Sequence, residues 1–261
     1  IWQVFELLHQ EIKRDIQRVG ARPQALPASA GVTIIGDPKL VFMAPRAKAF
    51  ACTLNTSAGP IFLDEDSEIM EGVNVRGPLF LGKHSTLKMG AKVYGAVATG
   101  PEVKLGGEVS QVQVQGYSNK GHDGFLGHSM LGEWCNLGAD TNNSNLKNNY
   151  APVKLWNAAM GRFEATGLTF CGLFMGDHSK CGINTMFNTG TVVGFSANIF
   201  GSGFPRNWIP DFSWGGAAGF SKYKLDAAIE TATRMMERRG ISFDDRHRRV
   251  FQSLFEESAS N

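Results

Sequence analysis

The strongest constraint on this chain is a six-residue beat. Apolar or near-apolar side chains recur at Leu63, Ile69, Val75, Leu81, Leu87, Val93, Thr99 and Leu105, and Gln111 is the first clear lapse. Four residues after each comes a second series, Ser67, Val73, Leu79, Ser85, Ala91, Val97, Val103 and Val109, mostly small or β-branched. Both series must point inward. A sandwich strand alternates with period two and an amphipathic helix with period 3.6, so neither accounts for six.

The beat predicts a triangular coil in which three hexads form three short strands and each corner is a turn. Coils stack in parallel about 4.8 Å apart, so backbone hydrogen bonds run from one coil to the next. The expected fold is an all-β solenoid, a left-handed parallel β-helix of hexapeptide repeats. Gly72, Gly77, Gly82, Gly90, Gly95, Gly100 and Gly106 fall at or near the corners, where positive φ or close backbone approach favours glycine.

The pattern resumes two residues out of phase at Leu131–Thr141 and again at Met175–Ala197. The expected solenoid spans 34–203, with insertions near 116–130 and 142–174, and insertions on such solenoids gather where binding happens. Before it, residues 1–22 read as a linker helix with Trp2, Phe5, Leu8, Ile12 and Ile16 on one face, ended by Pro23 and Pro27. After it, 204–261 reads as a loop and two helices, about 224–239 and 242–257, divided by Gly240. These helices are expected to cover the open end, whose backbone groups would otherwise lack partners.

With 26 Lys and Arg against 24 Asp and Glu, the net charge of +2 and the lack of a dense basic stripe argue against a nucleic-acid partner. Arg246, Arg248 and Arg249 read as a solvated helix face. No apolar run is long enough to span a bilayer and no signal-peptide pattern opens the chain, so the expected location is cytoplasmic, with no membrane partner. Cys52, Cys135, Cys171 and Cys181 show no CxxC spacing, which predicts reduced thiols and no metal site. The chain enters a helical pattern at Ile1 without an initiating Met, as a piece of a longer protein would.

Two segments carry a family resemblance: Ser118-Asn119-Lys120-Gly121-His122-Asp123-Gly124-Phe125-Leu126-Gly127, and Gly132-Glu133-Trp134-Cys135-Asn136-Leu137-Gly138-Ala139-Asp140-Thr141. They resemble the acetyltransferase half of the bifunctional glucosamine-1-phosphate acetyltransferase/N-acetylglucosamine-1-phosphate uridylyltransferase. The wider pattern is similar to a bacterial branch of sugar-nucleotidyltransferase-like proteins of that type, over about 59–201. The resemblance implies that His122 is the general base and that Glu108, fourteen residues earlier, supports it. An amino sugar's ammonium must lose a proton before it attacks an acyl thioester, and an imidazole titrates in the useful range. A carboxylate behind the imidazole would fix its tautomer. The plainer readings are a histidine that hydrogen-bonds its own turn and a glutamate that fills a corner.

The resemblance also places substrate contacts at Lys88, Phe125 and Asn145, with departures. The family's sugar-binding lysine is Ser110 here, a tyrosine is Phe125, another is Leu146, and an arginine is Lys88, which keeps the charge but not the bidentate fork. Acyl-donor contacts fall on Asn136, Ala139 and Gly201, and Arg206 could meet a coenzyme A phosphate. Ala139 and Gly201 also suit the solenoid's ordinary demand for small residues. The implied cofactor is acetyl-CoA or another acyl-CoA, and the implied assembly is a homotrimer with active sites between subunits. The resemblance implies an upstream nucleotidyltransferase domain as well; no P-loop or Rossmann fingerprint occurs in these residues, so uridylyl transfer is not assigned to them.

Two functions follow. One is an acyl-CoA-dependent N-acyltransferase acting on an amino-sugar phosphate or sugar nucleotide. The other is a non-catalytic scaffold that trimerises the upstream domain; Ser110 and Phe125 favour it, whereas His122, Glu108 and Asn145 favour the first. O-acylation would use the same base.

Overall fold

In the computed structural model, which describes residues 1–20 and 30–258, both six-beat series are buried, from Leu63 to Leu105 and from Ser67 to Val109. They form one continuous core inside a left-handed parallel β-helix. The first wall runs through Thr33–Ile35, Thr53–Asn55 and Asn74–Arg76. The second runs through Val41–Met43, Ile61–Leu63 and Leu79–Leu81. The third runs through Lys48–Ala49, Glu68–Ile69, Thr86–Leu87, Lys104–Leu105, Asn119–Lys120, Asn136–Leu137, Lys180–Cys181 and Asn198–Ile199.

Ser85 and its counterparts Ser118 and Ser179 have a specific task, whereas the buried Ser67 hydroxyl has no hydrogen-bond partner among the described residues. Ser85 Oγ donates to the Gly100 carbonyl and accepts from the Val103 amide, both at 2.9 Å in the next coil. Ser118 and Ser179 repeat this with Gly132 and Cys135, and with Gly194 and Ala197. A short hydroxyl thus satisfies the turn of its neighbour inside the core, where unpaired groups are costly.

The corner between the second and third walls departs from the glycine expectation. After Arg46 in the first coil, its positive-φ residues are Asp66, His84, Glu102, Tyr117, Trp134, His178, Ser196 and Phe212. The left-handed conformation aims each amide at a carbonyl of the preceding coil, as in Glu102 to Lys83 at 2.8 Å and Trp134 to Gly116 at 3.2 Å. That hydrogen bond offsets the steric cost of about 1–2 kcal/mol. Gly82 has an ordinary φ and is needed for another reason: a Cβ there would sit 2.3 Å from the Gly100 carbonyl oxygen.

The interval 116–130, expected as an insertion, is ladder: Asn119–Lys120 pairs in parallel with Lys104–Leu105, and Phe125–Leu131 with Glu108–Val114. The phase slips because this coil is shortened. Strands Lys92–Thr99, Glu108–Val114 and Phe125–Leu131 each run from the first wall to the second, and the last two do so with one residue fewer than Lys92–Thr99, with left-handed Gln111 and His128 at the shortened corner. The 142–174 excursion does leave the solenoid. It forms the hairpin Lys154–Asn157/Arg162–Ala165, and Val153, Leu155 and Cys171 pack with Phe174 and Phe5.

Helix α1 (Val4–Arg18) lies on the outside of the second wall. Leu8, Ile12 and Ile16 pack with Phe62 and Ala96, backed by Phe42 and Phe80. Gln111 Nε2 at the shortened corner donates to the Phe5 carbonyl at 2.7 Å. Pro23 and Pro27, expected to end this helix, lie outside the described residues.

Helices α2 (Leu225–Glu237) and α3 (Asp245–Glu257) pack together over Phe212 and Phe195. They do not form the lid expected at the open end. The strand Gly219–Lys222 turns back antiparallel on Ser213–Gly216 to finish the third wall, and α2 lies along that wall. Just past α2, Arg239 reaches Glu102 at 2.7 Å and Asn119 at 3.3 Å. Asp244 caps α3 by accepting from the Arg246 and His247 amides.

Candidate active site

The third wall and α2 bound a cleft of about 900 Å³. Asn119, Asn136 and Lys180 occupy successive outward positions along its floor, and Lys88, Lys104 and Ala139 line it from the wall side. Thr231, Arg234, Met235, Arg238 and Arg239 close it from the helix side, and His122 stands at its edge where the third wall turns into the first. Four of the sequence-derived candidates, His122, Lys88, Asn136 and Ala139, therefore share one cavity.

The other candidates lie elsewhere. Glu108 and Phe125 are register neighbours on the first wall. The Glu108 carboxylate accepts from the Tyr94 hydroxyl at 2.5 Å and, among the described residues, makes no hydrogen bond to His122. The Tyr94 phenol is pushed up as a result, chiefly by that hydrogen bond. Asn145 joins a different histidine: its Nδ2 donates to His128 Nδ1 at 3.0 Å, which leaves the ring proton on Nε2. Gly201 and Arg206 lie in the connection between strands Asn198–Ile199 and Trp208–Ile209, with the Arg206 guanidinium 5.2 Å from the Phe220 ring centroid.

Elimination among the six histidines of the chain favours His122. His178 is buried against Trp134, Phe195 and Phe251, and burial holds its imidazole down at about 3, neutral at any ordinary pH. His128 is stacked on Phe170 with Phe5 at its edge, and burial lowers it as well. His247 serves the α3 cap and His84 faces Asp66 on an exposed corner. His9 lies on α1 beside Lys13. His122 alone lines the cleft, exposed and accessible.

One residue behind His122 escaped the sequence reading. Lys120 points inward in the position that Leu105 holds in the preceding coil, and it is 1% exposed. Its Nζ donates to the His122 carbonyl and, at 3.0 Å, to the Asp123 carbonyl. Burial pushes the ammonium down to about 8, with Asp123 and Asp140 pulling the other way. The signal was present: Ser67, Ser85 and Ser179 are each followed two residues later by the core residue of the third wall, and Ser118 by Lys120. Gly124 completes the turn with φ +115°, where a Cβ would lie 2.2 Å from the Thr141 carbonyl oxygen. The chain around His122 is therefore pinned from inside by an ammonium and outside by a glycine-only contact.

Lys180 on the cleft floor donates to the His178 carbonyl at 2.7 Å, and burial lowers it to about 8. The cysteines are free and buried, and burial pushes Cys52 up to about 11 and Cys135 and Cys171 to about 12, so none is a ready nucleophile. Among the described residues no cluster of His, Cys, Asp or Glu could hold a metal ion, and no helix is long and apolar enough to cross a membrane.

No protein-family model matches the chain. Over 73 residues, 28% of its length, the chain is 38% identical to the bifunctional protein GlmU of Methanocaldococcus jannaschii, and the match takes in 17% of that protein. Among solved structures, LpxA, a UDP-N-acetylglucosamine acyltransferase from Bacteroides fragilis, superposes with a TM-score of 0.56 at 12% identity, covering 89% of this chain and 82% of that one. A UDP-N-acetylglucosamine acyltransferase from Campylobacter jejuni gives a TM-score of 0.41 at 14% identity, over 84% and 82%. The first of these two structures establishes the shared fold.

Proposed function

We propose that the chain is a cytoplasmic acyl-CoA-dependent N-acyltransferase acting on an amino-sugar phosphate or sugar nucleotide, with His122 as general base. The observation that carries this is the cleft on the third wall, which gathers His122, Lys88, Asn136 and Ala139. The match to GlmU and the fold shared with a UDP-N-acetylglucosamine acyltransferase support the same substrate class.

In this reading the imidazole of His122 removes a proton from the substrate ammonium. The free amine attacks the thioester carbonyl and a C–N bond forms, the C–S bond breaks as the departing thiolate takes a proton from the imidazolium, and the surplus proton on the newly acylated nitrogen passes to water. Such a base contributes about 10² to 10⁴ in rate. Lys88 supplies a positive charge for a phosphate and Asn136 a hydrogen-bonding amide for the donor. Glu108 is left outside the mechanism, because its carboxylate is engaged by Tyr94. The homotrimer and the upstream nucleotidyltransferase domain belong to the proposal too.

A second reading, a trimerising scaffold without chemistry, draws on one observation: Phe125 and Asn145, expected to bind substrate, stand apart from His122. The test is calorimetric titration of the chain with acetyl-CoA, after light scattering has established its mass in solution. Saturable binding at one site per subunit supports the transferase. Absence of binding by a well-formed trimer supports the scaffold.

A further inference from the structure

The α2 cleft is far more positive than the chain as a whole. Lys88, Lys104, Lys180, Arg234, Arg238 and Arg239 line it, and among the described residues no carboxylate does, although the net charge of the chain is only +2. Structural demands explain two of the six. Arg239 fastens the helix through Glu102, and Arg234 pairs with Glu230 on its own helix. Among the described residues, Lys180 bonds to the His178 carbonyl alone, and Lys88, Lys104 and Arg238 have no ion pair. Like charges facing each other across a concave, partly dehydrated space repel, and folding does not call for them. They make sense if a multiply charged anion occupies the cleft.

Size narrows the choice. A volume of about 900 Å³ lies in the range of small-molecule and cofactor sites, roughly 300–1,000 Å³, far larger than a lone phosphate needs. Polar groups that can orient a nucleotide, Asn119 and Asn136, lie on the floor between the cations. The wall and the helix that bound it both come from one chain.

We propose that this cleft binds the diphosphate of a nucleotide-bearing ligand, with Lys104 and Lys180 on the wall and Arg238 on α2 as its cations. Two sources carry that chemistry, the 3′-phospho-ADP portion of coenzyme A and the diphosphate of a sugar nucleotide. The site rests on the acyltransferase reading for this pair of sources, not for its charge.

The experiment is calorimetric titration of the full chain with coenzyme A, 3′-phosphoadenosine 5′-diphosphate, UDP-N-acetylglucosamine and phosphate-free pantetheine, repeated with Lys104→Ala/Arg238→Ala. Both replaced side chains are exposed, so the double variant keeps the fold. The expected result is that a diphosphate ligand binds, pantetheine does not, raised salt weakens binding, and the variant loses about tenfold or more, about 1.4 kcal/mol. Binding of 3′-phosphoadenosine 5′-diphosphate identifies coenzyme A as the source, and binding of UDP-N-acetylglucosamine identifies the sugar nucleotide. Coenzyme A binding equally well to the variant would overturn the diphosphate site while leaving acyl transfer standing. Diphosphate binding that the variant weakens, in a protein that never turns over acyl-CoA, would overturn acyl transfer and leave the site. Failure of every diphosphate to bind overturns the proposal.

Discussion

Lys120→Met tests how the His122 turn is held. The ammonium of Lys120 is 1% exposed inside the solenoid, and burial lowers its pKa from 10.5 to about 8. At about 1.4 kcal/mol per pH unit, holding this charge inside costs about 3 kcal/mol while both folded and unfolded chains are protonated. The folded pKa lies below the unfolded one, so between pH 8 and 10.5 the unfolded chain binds more protons. The contribution of this group to stability therefore rises with pH through that window. The penalty is complete below about pH 8 and gone above about 10.5.

Methionine fills a similar volume and removes the charge, but it leaves the His122 and Asp123 carbonyls without their donor, at about 1–3 kcal/mol for each one that stays buried and unpaired. At neutral pH these effects nearly cancel. The pH dependence does not. In urea unfolding at fixed protein concentration, wild-type stability minus that of Lys120→Met should climb by about 3 kcal/mol from pH 7 to 10.5. A difference that stays flat across the window would refute the assignment of a buried, charged Lys120.

Leu105→Ala empties a fully buried wall position and should cost about 2–5 kcal/mol in the same assay. Arg239→Ala removes the tie between α2 and Glu102; the stability loss should be modest, about 1 kcal/mol, but amide exchange in α2 should quicken while the solenoid keeps its protection. Glu108→Gln should lower the Tyr94 phenol toward its ordinary value in an ultraviolet difference titration, since the Glu108 hydrogen bond is the main cause of its elevation. The same variant should keep its pH–rate profile if Glu108 does not serve His122.

The solenoid was legible in the sequence because its core is periodic: a residue such as Leu87 is recognisable by its distance from Ile69 and Leu105. The shortened coil was misread because the beat registers a missing corner and an inserted loop alike, as a change of phase. The left-handed column from Asp66 to Phe212 was hidden for a different reason. Its backbone is held by bonds to the previous coil, and local sequence does not report those. Lys120 could have been found by aligning coils on their serines, whereas the docking of α2 depends on an Arg239–Glu102 contact 137 residues apart, which no local pattern carries. For the site, the resemblance led to His122, Lys88, Asn136 and Ala139 together. It did not foresee that Glu108 would turn to Tyr94, or that Asn145 would turn to His128.

The most direct test of the account is thiol release from acetyl-CoA, measured across a panel of amino-sugar phosphates and sugar nucleotides, for the unaltered chain beside His122→Ala and His128→Gln. The account predicts turnover that falls by about 10² to 10⁴ in His122→Ala and survives in His128→Gln. Undiminished turnover in His122→Ala, or none by the unaltered chain with any substrate of the panel, would contradict it.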